Sequence, residues 1–380
     1  MAGARPTHVA IDLDALAGNF AEARRLAAGR TVLAVVKADG YGHGAVTVAR
    51  RLAEAGCPEL AVATVAEGAE LRAAGIALPI LVLGGIHDVE EASEAGAQRL
   101  VPVVHQAGQI HWLTQAARSL GRVLPVQVEV DTGMARMGVA PAEALGVLER
   151  VAGSDVLVLE GVYTHLARAD EPDLEPSLRQ LERFDALLAE ARERRIEPRR
   201  VHVANSAGLL AGADLASAMP AAVNAVRPGL MLYGALPAEH LRERATLRPV
   251  MSLRSEIVAV REIAAGEPVG YGATWRATEP TRIATVPLGY ADGVPWCFEG
   301  GGSALIGGRL VPFAGRVSMD LVTLDIGGSG AKVGDPVVFF GREPAEEGAT
   351  LRVEDVAREA KSHAYELLVR VSARVPRRLG

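Results

Sequence analysis

Lysine is nearly absent from this chain of 380 residues. Lys37, Lys332 and Lys361 stand among 40 Lys+Arg residues, so an ordinary basic surface position is filled by arginine. Cysteine is as scarce: Cys57 and Cys297 cannot build a disulfide framework and lack metal-ligand spacing, which excludes a stapled scaffold or zinc module and fits a reducing compartment. No apolar run reaches the about 18 residues of a membrane span. The opening MAGARPTHVAIDLDAL has no apolar stretch of about 7–15 residues such as a secretory leader carries. A net charge of −6 gives no electrostatic ground for nucleic acid or an anionic membrane as partner. The expectation is a soluble, cytoplasmic protein.

What is present is apolar and loop-rich: 49% hydrophobic residues with 41 glycines and 21 prolines describe a packed globular chain rather than a disordered one. The length exceeds one average domain and suits a large barrel with a smaller companion. Eight strand-like runs alternate with helical segments: TVLAVV (31–36), LAVAT (60–64), PILVLG (79–84), RLVPVV (99–104), LPVQVEV (124–130), VLEGVYT (158–164), RRVHVA (199–204) and NAVRP (224–228). That alternation predicts an α/β fold, a (β/α)8 TIM-like barrel over residues 1–236. From residue 237 to 380 the texture changes to strands joined by Gly/Pro/Asp turns, which predicts a mainly antiparallel β C-terminal domain. The stretch THVAIDLDAL reads as one more strand and helix, and its first residues are candidates to pair with that second domain.

Active sites of such barrels lie where the strands end. The first run delivers Lys37 and Tyr41, the fifth leads to Arg136, and the sixth to His165. The seventh gives Asn205 and Ser206, and the eighth Arg227, Gly229 and Leu230. A lysine behind five apolar residues is either snorkelling to solvent or a desolvated amine able to act as nucleophile or base, a task arginine cannot perform. The stretch alone leaves both open. Its position on one face with a glycine-rich turn and a Ser/Asn pair points to a phosphate site beside a reactive amine. That combination suggests pyridoxal 5'-phosphate joined to Lys37 as a Schiff base. His165 could stack on the pyridine ring or be an ordinary buried histidine. Arg227, if beside the ring nitrogen, would keep it unprotonated and favour proton exchange at Cα over transamination; otherwise it is one surface arginine of many.

The segments AVVKADGYGHG, VDTGMARMGV, THLARAD, HVANSAG, VRPGLMLYG, VGYGATW, PLGYADG and GRVSMD resemble, in order and spacing, the motifs of the alanine racemases, fold-type III enzymes dependent on pyridoxal phosphate. The resemblance extends to ARVPR at 373–377, almost the whole chain. It implies an isomerase that interconverts L- and D-alanine with two bases, as a homodimer with shared active sites. Lys37 would be the base on one face of the cofactor. Tyr271 would be the base on the other, contributed by the second subunit, with His165 linked to Arg227 as the relay that tunes it. Tyr41, Ser206, Gly229 and Leu230 would hold the phosphate, with Asn205 supporting their loop. Arg136 would meet the cofactor or the substrate carboxylate. Met319 and Asp320 match a partner-subunit loop that closes on the substrate, and Tyr290 a tyrosine of the substrate channel. A racemase of serine, lysine or broader range, or a silent cofactor-binding sensor, are the alternatives. Two departures stand out. Glu129 occupies a position where many relatives carry a carbamylated lysine that positions the arginine, and is read as a built-in substitute. Ala373 stands where some relatives carry a phosphate-binding tyrosine.

Overall fold

All eight apolar runs become strands of one closed parallel barrel: Thr31–Val35, Glu59–Val62, Ile80–Val82, Val101–Val104, Leu124–Glu129, Leu157–Tyr163, Arg200–His202 and Ala225–Val226. The computed structural model describes residues 5–298, 301–344 and 348–379. The strands read as continuous apolar runs because both faces are covered, by barrel interior on one side and helices on the other. Leu33, Ala34, Leu60, Ala61 and Val62 are all without solvent contact. The eighth strand is two residues long, and pairing with Thr31, Val32 and His202 suffices to close the ring. Gly161 marks the tight approach of strands five, six and seven. A Cβ there would lie 2.9 Å from the Arg200 carbonyl and from Gln127 Cδ, beside an irregularity in register at Val126/Gln127.

Strand ends turn into helices through side-chain caps. Asp12 opens the helix Leu13–Ala27 and Asp88 opens Val89–Ala97 by accepting a backbone amide. Thr64 and Glu67 form a reciprocal capping box at the start of Val65–Ala73. Such caps fix where each strand-to-helix loop leaves the barrel, and so where its functional side chain points.

The C-terminal part carries a seven-stranded sheet, a three-stranded antiparallel sheet and a two-stranded ribbon. In the largest, Met251–Glu256 pairs antiparallel with Pro336–Arg342 on one side and with His8–Ile11 on the other. His8–Ile11 pairs in parallel with Arg377–Leu379, so the two ends of the described chain lie side by side in one sheet. Helices Val353–Glu359 and Ala364–Arg370 complete this part. The apolar core runs unbroken from the barrel into it. Among the described residues no helix is long and apolar enough to cross a membrane.

Leu33 is fully buried in the first barrel strand. Leu33→Ala should destabilise the fold by about 2–5 kcal/mol, through lost transfer energy and the cavity left behind. Denaturant unfolding checks this, and a cost below 1 kcal/mol would contradict a packed barrel at this position.

Candidate active site

The first barrel strand ends in an unusual turn. Directly after Lys37, the residues Ala38, Asp39, Gly40 and Tyr41 all adopt left-handed backbone angles, with φ of 52°, 54°, 60° and 54°. For the three that are not glycine this costs about 1–2 kcal/mol each, so the surroundings must hold the turn. The Ala38 amide donates to Glu67 Oε1 at 2.7 Å, and the Gly40 amide to the Val36 carbonyl at 2.9 Å. Asp39 Oδ1 accepts the Ala45 amide at 2.7 Å. His43 donates through Nδ1 to the Tyr41 carbonyl at 2.8 Å. The turn lifts Lys37 into a cavity of about 410 Å³ and rolls Tyr41 under it. The Tyr41 ring stacks on Tyr233 with centroids 4.7 Å apart, and the Tyr233 hydroxyl donates to the Val35 carbonyl at 3.0 Å.

Lys37 is half-buried. Desolvation, with the Arg136 guanidinium nearby, pushes its amine below the usual lysine range, while Glu67 pulls the other way. A larger fraction of the neutral amine is therefore present near neutral pH than on a surface lysine. Burial raises the Tyr41 phenol above its usual range, so it stays a hydrogen-bond donor.

The far side of the cavity is built around Arg227, 3% exposed on the loop after strand eight. Its guanidinium donates to the Thr164 and Val203 carbonyls, each at 3.0 Å, and to His202 Nδ1. It lies 4.3 Å above the Tyr163 ring, which stacks in turn on His202. His165 Nδ1 is 3.4 Å from the same guanidinium. An arginine can only donate, so both histidines offer Nδ1 as acceptor and are neutral rings with the proton on Nε2. Burial first, then Arg227 and Arg136, hold the His165 ring down to about 3. Burial and Arg227 likewise depress His202, whose Nε2 donates to Gln127 Oε1 at 2.6 Å.

Between these groups lies a small cradle. Ser206 Oγ accepts the amides of Gly229 at 2.9 Å and Met231 at 3.2 Å. Asn205 Oδ1 accepts the Gly208 amide at 2.9 Å and so fixes the loop that carries Ser206. Gly229 is required by its neighbour, because a Cβ there would fall 2.3 Å from the Tyr41 hydroxyl. A phenol, a hydroxyl and loop backbone thus converge on one point, the donor set a phosphate group needs.

Nine of the proposed site residues, with Glu129 as a tenth singled-out position, line this cavity: Lys37, Tyr41, Arg136, His165, Asn205, Ser206, Arg227, Gly229 and Leu230. Four do not. Tyr271, Tyr290 and Met319 are 72%, 39% and 52% exposed, outside the cavity on the C-terminal part, and Asp320 accompanies them. They are nevertheless one cluster. The Tyr290 and Ala291 amides donate to the Ser318 and Met319 carbonyls at 3.1 and 3.0 Å. The Tyr271 turn packs on Gly315 and Arg316, where a Cβ on Gly272 would meet Arg316 Nη1 at 3.1 Å. Asp292, wholly buried, accepts from Arg5 at 2.6 and 2.5 Å and from Arg374 Nε at 2.7 Å. Arg374 also donates to Asp320 Oδ1 at 2.8 Å.

Glu129 lines the cavity but does not serve Arg136. The Tyr163 hydroxyl donates to Glu129 Oε2 at 2.9 Å, and His105 Nδ1 lies 3.2 Å from the same oxygen, off the line of a good hydrogen bond. Among the described residues no hydrogen bond joins Glu129 to Arg136. Burial alone would raise the Glu129 carboxyl, but His105, Tyr163 and Arg227 together hold it below the usual range. Sequence reasoning missed Tyr163, Tyr365 and Glu67. Tyr365, from the helix Ala364–Arg370, lines the cavity with its ring centroid 6.2 Å from that of Tyr41. A phenol is therefore present although Ala373 is not one. Scarcity was the available signal: only six tyrosines occur, and Tyr41, Tyr163 and Tyr365 line the cavity while Tyr233 backs it.

Buried His43, held down to about 4 mainly by desolvation, makes stability depend on pH. Its folded value lies below the unfolded one, near 6.5, so the unfolded chain binds the extra proton first. Stability is complete above about pH 6.5 and falls as pH drops towards 4, by up to about 3 kcal/mol. His43→Asn keeps a donor towards the Tyr41 carbonyl and cannot titrate. Thermal unfolding followed from pH 7 to 4 should therefore fall less steeply in this variant. A slope equal to that of the unmodified protein would contradict the assignment.

Comparison with known proteins matches residues 11–237 to a family model described as alanine racemase, N-terminal domain, and residues 250–379 to alanine racemase, C-terminal domain. A curated protein of Sorangium cellulosum named alanine racemase is 43% identical and covers 98% of each chain. The crystal structure of the biosynthetic alanine racemase of Pseudomonas aeruginosa superimposes with a TM-score of 0.89 at 39% identity, covering 99% of this chain and 100% of that one. That of alanine racemase from D-cycloserine-producing Streptomyces lavendulae gives a TM-score of 0.91 at 34% identity, over 100% and 98% of the two chains.

Proposed function

The chain belongs to the alanine racemase family, and from that membership and the geometry of its cavity we propose that it interconverts L- and D-alanine using pyridoxal 5'-phosphate. The observation that carries the reading is the convergence of a desolvated lysine and a phosphate cradle in one cavity. The residues present fit this cofactor. The Gly229 position leaves the room that a Cβ would fill, and Tyr41, Ser206 and the Gly229–Leu230 backbone would hold the phosphate. His165 and Arg227 would hold the ring, and Lys37 would anchor it.

Pyridoxal phosphate, when bound, draws electrons from the substrate and makes its Cα proton acidic. The chain's own residues then decide where that proton goes. Lys37, with its amine depressed, takes or returns the proton at Cα on one face. Arg227, permanently charged, would disfavour a proton on a ring nitrogen held beside it. Arg136 offers a cation to the substrate carboxylate. The opposite face needs a second base, and we assign it to Tyr271 of the partner subunit in a cytoplasmic homodimer. The exposure of Tyr271, Tyr290 and Met319 on one surface supports this.

Lys37→Ala should abolish racemisation and the visible absorbance of the bound cofactor. Tyr271→Phe should lower turnover by about 10²–10⁴-fold with cofactor still bound. Mixing the two inactive variants tests the shared site directly. A mixed dimer holds one intact Lys37–Tyr271 pair in two sites, and random pairing of equal amounts makes half the dimers mixed, so about a quarter of the unmodified activity should return. No recovery in proven mixed dimers would overturn the assignment of Tyr271 to the partner's cavity. Cofactor binding without Cα exchange of either alanine enantiomer in deuterated water would overturn the racemase reading and point to a sensor.

A further inference from the structure

Glu67 belongs to the first turn of the helix after the second barrel strand, yet its carboxylate holds the loop after the first. Oε1 accepts the Ala38 amide at 2.7 Å, the peptide N–H that follows Lys37 directly. Oε2 accepts the amides of Ala63 at 2.6 Å and Thr64 at 3.2 Å. A capping box needs only the Thr64 bond; the other two reach beyond the helix. They also fall where the sheet stops. Strands one and two pair as far as Val35↔Ala61, and the Val36 amide donates to the Ala61 carbonyl at 2.8 Å. Past this point the first chain turns left-handed, and the ladder cannot continue. The Glu67 carboxylate forms the next rung, bridging the two strand ends where their own backbones no longer meet.

We propose that Glu67 is a positioning residue for Lys37, fixing the backbone turn from which the lysine side chain enters the cavity. The inference rests on Lys37 being the reactive amine. Other charges near Lys37 are committed elsewhere or act against it. Asp39 spends Oδ1 on the Ala45 amide. Glu129 is engaged by Tyr163 and His105. His165 is neutral, and Arg136 disfavours the ammonium form that Glu67 favours. Glu67 therefore sets both the aim of the amine and part of its charge balance.

Glu67→Gln in the holoenzyme keeps one acceptor oxygen and places an NH₂ group against backbone N–H donors on the other side. It should reduce kcat/KM by about 10–100-fold, as a displaced reacting group does. With the carboxylate charge gone, the pH limb belonging to Lys37 should move to lower pH. Backbone amide exchange over 38–41 should also quicken. Thr64→Ala removes the hydroxyl of the same helix cap and leaves the carboxylate. It should lower Tm while leaving the pH limb and the exchange of 38–41 unchanged. The inference fails if Glu67→Gln keeps the pH limb and the exchange of the unmodified enzyme. It fails equally if Thr64→Ala moves both as far, which would make Glu67 a helix cap and nothing more. Full racemisation by Lys37→Ala would instead overturn the role given to Lys37.

Discussion

A guanidinium almost sealed from water sets the protonation of this cavity. Stripping Arg227 of solvent costs several kcal/mol unless its donors are engaged. Two carbonyls, His202 and the face of Tyr163 engage it. Because those carbonyls belong to Thr164 and Val203, the residue also ties the ends of strands six and seven to the loop after strand eight. The same cation dictates the histidines. Whatever faces it must accept, so His165 and His202 are both neutral with one fixed tautomer. Neither fact can be read from a histidine alone; both follow from the neighbour.

The balance of charge follows the same logic. Lys37, Arg136 and Arg227 line the cavity, and Glu129 is the carboxylate among the described lining residues. Tyr163 and His105 absorb that carboxylate, so it does not neutralise Arg136. The cavity keeps a cationic excess, which suits a ligand bearing a phosphate and a substrate bearing a carboxylate. A cluster of cations also disfavours a further positive charge. That repulsion adds to desolvation in lowering the Lys37 amine below the usual lysine range. The left-handed turn is backbone strain held by its surroundings, and it brings both Lys37 and Tyr41 to the same cavity.

The barrel was legible because parallel strands covered on both faces leave eight unbroken apolar runs, and an apolar run is what a sequence shows most plainly. Even the two-residue eighth strand was marked by NAVRP. Lys37 stood out because lysine is rare in the chain. Tyr163 and Tyr365 are rare in the same sense and were passed over. One ends a strand and reads as core, and the other lies on a short C-terminal helix far along the chain. Glu67 was hidden for a different reason. The pattern T-V-A-E announces a helix start, but nothing in it says that the carboxylate reaches to the amide of Ala38. Glu129 shows the converse: register suggests a partner for Arg136, whereas tertiary contact gives the carboxylate to Tyr163 and His105.

Inverting a stereocentre asks for groups on both faces of a flat ligand, and one barrel offers loops from one side only. In the proposed mechanism Lys37 answers for that side. Of the residues that resemblance assigns to the other side, Tyr290 and Asp320 lie on a surface outside the cavity that is anchored by a buried aspartate and arginines from both ends of the chain. Arg5 and Arg374 converge on Asp292, and Arg374 continues to Asp320. An exposed loop would be free to fold back on itself; one anchored to a wholly buried carboxylate keeps its side chains presented outward. In the proposed dimer, rigidity on that surface is what completing a second molecule's cavity asks for, because a base delivered across an interface must arrive already oriented.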